Sequence, residues 1–414
     1  MAPADTSATS ARSDGIPMLA SVTKYIPYPA IAHAGGQYVL AQDHALAEDF
    51  AIHHFAPDTP VNREARGRSA QPPSTLLQGV GPGGRGGAKL LWDLESAWQG
   101  SAVPWPWRRL FATERAPWPE LAAAEIIEFH WSEMIALAPR VRARLPKARL
   151  VGVAHDVITQ RWERAASQAA NPLLRAGYRL AARRSARREA ASFAALDVLI
   201  VFSEKDAALV ERLRPGTPVE VVHPGLGPET TPERSPDPSA PVVLFTGALN
   251  RPDNHRGAQW FLDEVWPQVA AAVPESRFVI AGANPPESLE RSARAAGVEV
   301  TGFVDSLEPW YAGASVFVAP LHTGAGVKFK TLDAMLRGVP VVATPVGAEG
   351  IDAQDLFAAV TEDPAEFARA VIAELRAPDV QRTERARVWA DGVYGQDAFR
   401  RRVRGVYEAV RQAR

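Results

Sequence analysis

Cysteine is absent from the 414 residues, which excludes a disulfide framework and a thiolate nucleophile and fits a reducing compartment. Net charge is lacking too: the formal balance of −1 supplies none of the positive field a general nucleic-acid binder needs. No apolar run is long enough to span a bilayer, and Met1 to Asp14, rich in Ala, Ser and Thr, lacks the apolar core of a secretory signal. A cytoplasmic protein is expected. No His/Cys cluster has zinc spacing, and no paired-aspartate motif suggests magnesium. The G-x-G-x-x-G fingerprint is missing at the strand-to-helix turn TGALNRP, which argues against a dinucleotide-dependent oxidoreductase. What is present is a chain long enough for two domains of ordinary size, with apolar residues enough for a core in each.

The chemistry concentrates in Val316 to Gly350, VFVAPLHTGAGVKFKTLDAMLRGVPVVATPVGAEG. It reads as strand, glycine-bearing loop, helix, strand and second glycine-bearing loop, a βαβ unit. The loop offers backbone N–H groups, the helix offers the positive end of its dipole, and Lys328 and Lys330 add two cations. Such a combination suits a phosphate or diphosphate. Arg251 is a third cation for the same purpose, and Asp333, one helical turn past Lys330, can accept hydrogen bonds from ribose hydroxyls.

Strand and helix alternate through both halves. Met18 to Tyr25 predicts a first strand, followed by a loop in which Gly35 and Gly36 let a ligand approach the backbone, then a helix from about Gln37 to Ala47. Pro57 to Ala88 reads as a long loop without apolar periodicity, and Trp92 to Trp118 as a proline-broken aromatic surface packed beneath it, with sugar stacking or membrane contact as alternatives. His155 and Asp156 follow a buried strand and stand where open α/β sheets place ligands. Asn171 to Phe193 is one long helix with Arg175, Arg179, Arg183 and Arg187 in a row and Arg184 and Arg188 beside them. The row is a solvated face, or else it meets an anionic membrane or an acidic acceptor. GLGPETTPERSPDPSAP has linker composition and ends the first domain near Pro224; the second opens with a strand at Val242 to Phe245 and a helix over Ala258 to Ala272. The expected fold class is α/β, with two doubly wound domains.

From PVVLFTGALNRPDN through RFVIAGANPPE, VEVTGFVDSLEPWYAGASVFVAPL, GAGVKFKTLDAMLRGVPVVAT and GAEG, the second half resembles the donor-binding domain of the family 4 (group 1) GT-B glycosyltransferases. KYIPYPAIAHAGGQY, VAHDV, RREAASFAALDVLIVFSEKD and VVHPG are more weakly similar to that family's acceptor domain, while residues 57 to 120 carry no resemblance. The resemblance implies a GT-B fold of two Rossmann-like domains facing across a cleft. Residues 1–15 are expected to be disordered, 16–224 to bind acceptor, 225–240 to link and 241–395 to bind the donor, with a C-terminal helix over 396–414 that can return to the first domain.

It further implies retaining, metal-independent transfer of a sugar from a nucleotide diphosphate sugar, such as a UDP- or GDP-sugar, to a glycan, lipid-linked or small-molecule acceptor, with no cofactor. Gly247, Asn250, Arg251, Lys328 and Lys330 would face the diphosphate, with Gly35 and Gly36 over it. Phe303 and Val304 would hold the base, Asp333 the ribose, and His155 the sugar. The family's first glutamate has no counterpart: Thr323, Gly324 and Ala325 occupy its place. Backbone N–H groups of Ala325, Gly326 and Val327 would contact the sugar instead. A non-catalytic nucleotide- or glycan-binding protein and a nucleotide-sugar epimerase stay open as alternatives.

Overall fold

The computed structural model describes residues 15–413 apart from 30, 32–33, 69–71, 80–102, 104, 228–232, 324–326 and 352. The chain divides into two compact units, Met1–Pro224 with Arg400–Arg414, and Gly225–Phe399.

The first unit is built on β1 (Met18–Val22), β2 (Ala51–Pro57), β3 (Ser74–Leu77), β4 (Ile126–His130), β5 (Arg149–Val153), β6 (Val198–Val201) and β7 (Val219–Val221). All pair in parallel, in the order β3-β2-β1-β4-β5-β6-β7. Strands covered on both faces need apolar residues throughout. β4 and β6 obey this at every position except Glu128 and His130, which are buried nonetheless. The second unit repeats the plan with β8 (Val242–Thr246), β9 (Arg277–Ala281), β10 (Glu299–Gly302), β11 (Val316–Ala319), β12 (Val341–Ala343) and β13 (Ala359–Val360), ordered β10-β9-β8-β11-β12-β13. Successive strand residues supply opposite cores: Leu244 and Phe317 pack with Leu332 and Met335, whereas Val243 and Val316 pack with Phe261 and Phe367.

In both sheets the strand order reverses once, between β1 and β4 and between β8 and β11. Loops leave these paired strands in opposite directions, so a crevice opens at their carboxyl ends. The glycine-bearing loops named above leave β8 and β11.

Several elements differ from their sequence reading. Residues 57 to 77 are not one long loop: they hold the helix Pro60–Arg68 and the edge strand β3. That helix has no apolar stripe because a buried amide docks it. Asn62 accepts from the Ile26 N–H at 3.1 Å and donates to the carbonyls of Lys24 at 3.1 Å and Pro57 at 2.9 Å. Trp107 and Trp118 are core residues packed on Phe111, which decides the aromatic run in favour of packing at those positions; Trp92 and Trp98 lie outside the described residues. The helix expected at Ala258 begins at Pro252, a proline at its first turn, and passes through a π-turn at Phe261–Val265. Gly35 and Gly36 fall within the first turn of the helix Ala34–Leu46, not in the loop before it. Val380 to Arg411, which reads as one helical segment, is two helices, Val380–Tyr394 and Gln396–Gln412, the second lying over the C-terminal helix expected at 396–414.

Candidate functional site

The reversal point of the second sheet gathers the expected cations. Lys330 lies in the first turn of the helix Phe329–Leu336 and donates to Asn254 Oδ1, from the helix that follows β8. Its ammonium stands 4.8 Å from the centroid of the Phe245 ring, at the end of β8. Only glycine fits at 247: a Cβ there would lie 2.7 Å from Lys330 Nζ and 2.9 Å from Asn254 Nδ2. A Cβ at Gly282, after β9, would collide with the Gly247 carbonyl, so the two loop backbones touch directly. Burial lowers the Lys330 pKa to about 8; Asp253 opposes the shift, and the Arg251 and Lys328 charges add to it. An ammonium in that position is short of negative charge.

Arg251 and Asn250 occupy the exposed turn before the helix Pro252–Trp260, and the Arg251 guanidinium grips Asp253 at 3.3 and 3.1 Å. Two other expected contacts are engaged within the protein. Lys328 is buried and paired with Glu349 at 2.9 Å, so its charge is countered from the GAEG loop rather than left open for phosphate. Asp333 is likewise not an open ribose acceptor. Arg337, one turn on, donates to its carboxylate at 3.0 Å and to Glu308 through two further bonds, while packing 4.7 Å from the centroid of the Tyr311 ring. Burial pushes the Asp333 carboxyl above its usual range, and Arg337 pulls it partway back. The i,i+4 spacing made this pairing legible; the sharing with Glu308, which follows β10, was not.

Val327 is half-buried against Gly350. Gly324, Ala325 and Gly326 lie outside the described residues. Phe303 and Val304 follow β10, two strands from β8, roughly 10 Å across the sheet at ordinary strand spacing. The Phe303 ring is 75% exposed.

The first unit builds a different site at its own reversal point. His155, just past β5, stacks on Trp131, just past β4, with centroids 4.3 Å apart and planes 12° from parallel. Gly35 closes the same space, since a Cβ there would lie 3.1 Å from His155 Nδ1 and from Trp131. His155 and Gly35 are thus brought together, whereas Gly36 is buried in the helix. Trp131 holds a φ of 69°, a left-handed conformation that costs a bulky residue on the order of 1–3 kcal/mol and clusters at functional sites.

Beneath them runs a chain that sequence reading missed. His155 Nε2 lies 3.4 Å from His130 Nδ1, and His130 Nε2 lies 3.1 Å from Glu128 Oε1. Glu128 also accepts from Gln42 at 2.8 Å and from Tyr407 of the C-terminal helix. Burial alone would raise the Glu128 carboxyl. The His130 charge and hydrogen bond, with donation from Tyr407, instead carry it down to about 2. The ionised carboxylate accepts only, so His130 Nε2 carries a proton. The missed signal was a glutamate and a histidine two apart in an otherwise apolar strand, which puts both on one face.

Residues 240–376 match the model of the family described as glycosyl transferases group 1. Over these residues the second unit is similar to that family. The match covers the second unit's strands and the helix bearing Lys330. Among curated proteins, the "Uncharacterized 44.6 kDa protein in cps region" of Klebsiella pneumoniae is 34% identical over 116 residues, 26% of this chain; the matched stretch spans 30% of that relative's length. Solved structures extend the likeness over both units. HepE of Anabaena in complex with UDP superposes with a TM-score of 0.62 at 12% identity, covering 95% of this chain and 100% of that one. WaaG, a glycosyltransferase involved in lipopolysaccharide biosynthesis, gives 0.57 at 16% identity, covering 96% and 100%. The N-terminal domain of Candida albicans trehalose-6-phosphate phosphatase gives 0.59 at 12% identity, covering 96% and 97%. The fold is therefore GT-B, with two Rossmann-like domains. Among the described residues, no helix is long and apolar enough to cross a membrane.

Proposed function

We propose that the protein is a retaining, metal-independent glycosyltransferase that moves a sugar, a hexose in the first instance, from a nucleotide diphosphate sugar to an acceptor hydroxyl. The observation that carries this reading is Lys330: a half-buried, charge-starved ammonium at the reversal point of the domain that matches group 1 glycosyltransferases, flanked by Arg251 and the close-packed Gly247 backbone. A departing diphosphate supplies the negative charge it lacks. In the proposed step the bond from the anomeric carbon to the diphosphate oxygen breaks as the acceptor oxygen bonds to the same face. The acceptor proton passes to the leaving phosphate, and a nucleoside diphosphate is released. His155, with its stacked Trp131, binds a hydroxyl of the transferred sugar, and Phe303 with Val304 covers the base.

HepE was crystallised with UDP, which makes UDP the first nucleotide to test here, with GDP second. WaaG acts in lipopolysaccharide biosynthesis, and a glycan or lipid-linked acceptor follows by analogy of fold. The helix Pro172–Phe193 exposes Leu173 and Leu174 beside Arg175 at its start, a suitable edge for resting on an anionic membrane. The test is a thermal-shift panel of nucleoside diphosphates and their sugars, followed by nucleotide release with candidate acceptors. If no nucleoside diphosphate raises the melting temperature, the donor site is wrongly assigned. The Lys328–Glu349 and Asp333–Arg337 pairs favour one second reading, a non-catalytic binder. It would bind nucleotide and release no product with any acceptor.

A further inference from the structure

A cavity of about 200 Å³ in the first unit is lined by Arg108, Arg140 and Arg188 together with Ser132, Ser185 and Glu189. Its arginines come from three separate helices, Trp105–Leu110, Ala138–Arg144 and Pro172–Phe193, so their convergence is tertiary and not an accident of one helical face. Arg140 has no carboxylate partner among the described residues; it donates to the Arg108 carbonyl, and burial and then the Arg108 charge depress its pKa. The acid in the wall is already occupied. Glu189 accepts from the Ile158 N–H at 2.7 Å, the Thr159 N–H at 2.9 Å and the Thr159 hydroxyl. Ser185, a residue of the cavity wall, is 1% exposed, and its hydroxyl has no hydrogen-bond partner among the described residues. A buried hydroxyl without a partner is unfavourable, and a ligand oxygen would relieve it. The floor, from Ile135, Ile158 and Phe193, is apolar.

We propose that this cavity is an anion subsite, in which Arg108, Arg140 and Arg188 hold a phosphate group and the Ser185 hydroxyl donates to it from beneath. Guanidinium groups arranged around one oxyanion give charge-assisted, geometrically specific contacts. Ser132 opens the helix just after Trp131 and Ile158 the helix three residues after His155, so the bound phosphate is part of the acceptor. Only that last assignment rests on the transferase reading. The phosphate can come from a soluble sugar phosphate or from a lipid headgroup, and the apolar floor accommodates either.

The test uses the full chain in a Lys330→Ala background, which disables the donor-site cation. Binding of glucose 6-phosphate is measured by calorimetry at low ionic strength, and binding to phosphatidic acid vesicles by flotation, with phosphatidylcholine vesicles as control. R140Q changes an exposed side chain and leaves the melting temperature unchanged; R140Q and R188Q each weaken binding in the responding arm about tenfold. S185A weakens it less, through one neutral hydrogen bond. Response in the first arm alone assigns a soluble ligand, and response in the second assigns a headgroup. No binding in either arm, or binding that R140Q/R188Q leaves intact, overturns the subsite. If nucleoside diphosphates fail to bind while arginine-dependent phosphate binding persists, the donor reading falls and the subsite stands.

Discussion

The two units share one topology and place opposite chemistry at the same point of it. At the reversal between β8 and β11 the second unit sets a half-buried ammonium against glycine backbone, with Arg251 and Lys328 near enough to depress its pKa. At the reversal between β1 and β4 the first unit sets two imidazoles and an indole over an ionised carboxylate held by Gln42 and Tyr407. The fold fixes where a ligand goes in each unit, and the side chains decide what kind. A cation short of counter-charge selects phosphate. Imidazoles ordered by a buried carboxylate suit hydroxyl groups, because the hydrogen-bond chain fixes their donors and acceptors.

The sharpest way to break this contrast is Lys330→Ala. If the ammonium stabilises the leaving diphosphate, turnover falls about 100- to 1,000-fold with the melting temperature nearly unchanged. Unchanged turnover in the folded variant removes Lys330 from the mechanism. Next in size, Glu128→Ala leaves His130, Gln42 and Tyr407 without their shared buried acceptor and costs roughly 3 kcal/mol of stability, read by denaturant titration. The wild-type carboxyl is depressed to about 2, below its unfolded value. Its contribution is therefore complete above about pH 4.5 and is lost as pH falls from there through 2. A stability curve flat across that window in the wild type contradicts the assignment. Smaller again, His155→Ala lowers kcat about tenfold or more and leaves nucleoside diphosphate affinity unchanged. A parallel loss of that affinity would dissolve the division of labour between the units.

How much of this the sequence showed depends on whether a residue acts locally. The alternation of elements and the Lys330 neighbourhood were legible because helix starts, glycines and cations within a few residues constrain one another, whereas Gly35 and Gly36 read as loop and belong to a helix. The helix Pro60–Arg68 was not, because its docking residue is the polar Asn62, bonded to Ile26 and Lys24 far away in the chain. Glu349 and Glu308 escaped for the same reason: each neutralises a cation 21 or 29 residues distant, and no spacing rule reaches that far. The Glu128 chain required Tyr407, 279 residues on, to become visible.

The smallest effect sharpens the comparison from the side of pH. With the Lys330 pKa near 8 in the free protein, the ammonium is charged below that value whether or not ligand is bound, and affinity for a nucleoside diphosphate does not depend on it. A bound diphosphate places anionic oxygens beside Nζ and raises its pKa. Above about pH 8 the free lysine is neutral, binding must take up a proton, and affinity falls by about tenfold per pH unit until the bound-state pKa is passed. The terminal phosphate, with its second pKa at about 6, is fully ionised by then and adds no bend of its own. Calorimetry in two buffers of different ionisation enthalpy at pH 9 should show uptake approaching one proton per ligand. In Lys330→Ala the bend and the uptake both vanish, while in His155→Ala both persist. A bend that survives loss of Lys330 would place the titrating group elsewhere and leave the second unit without its distinguishing cation.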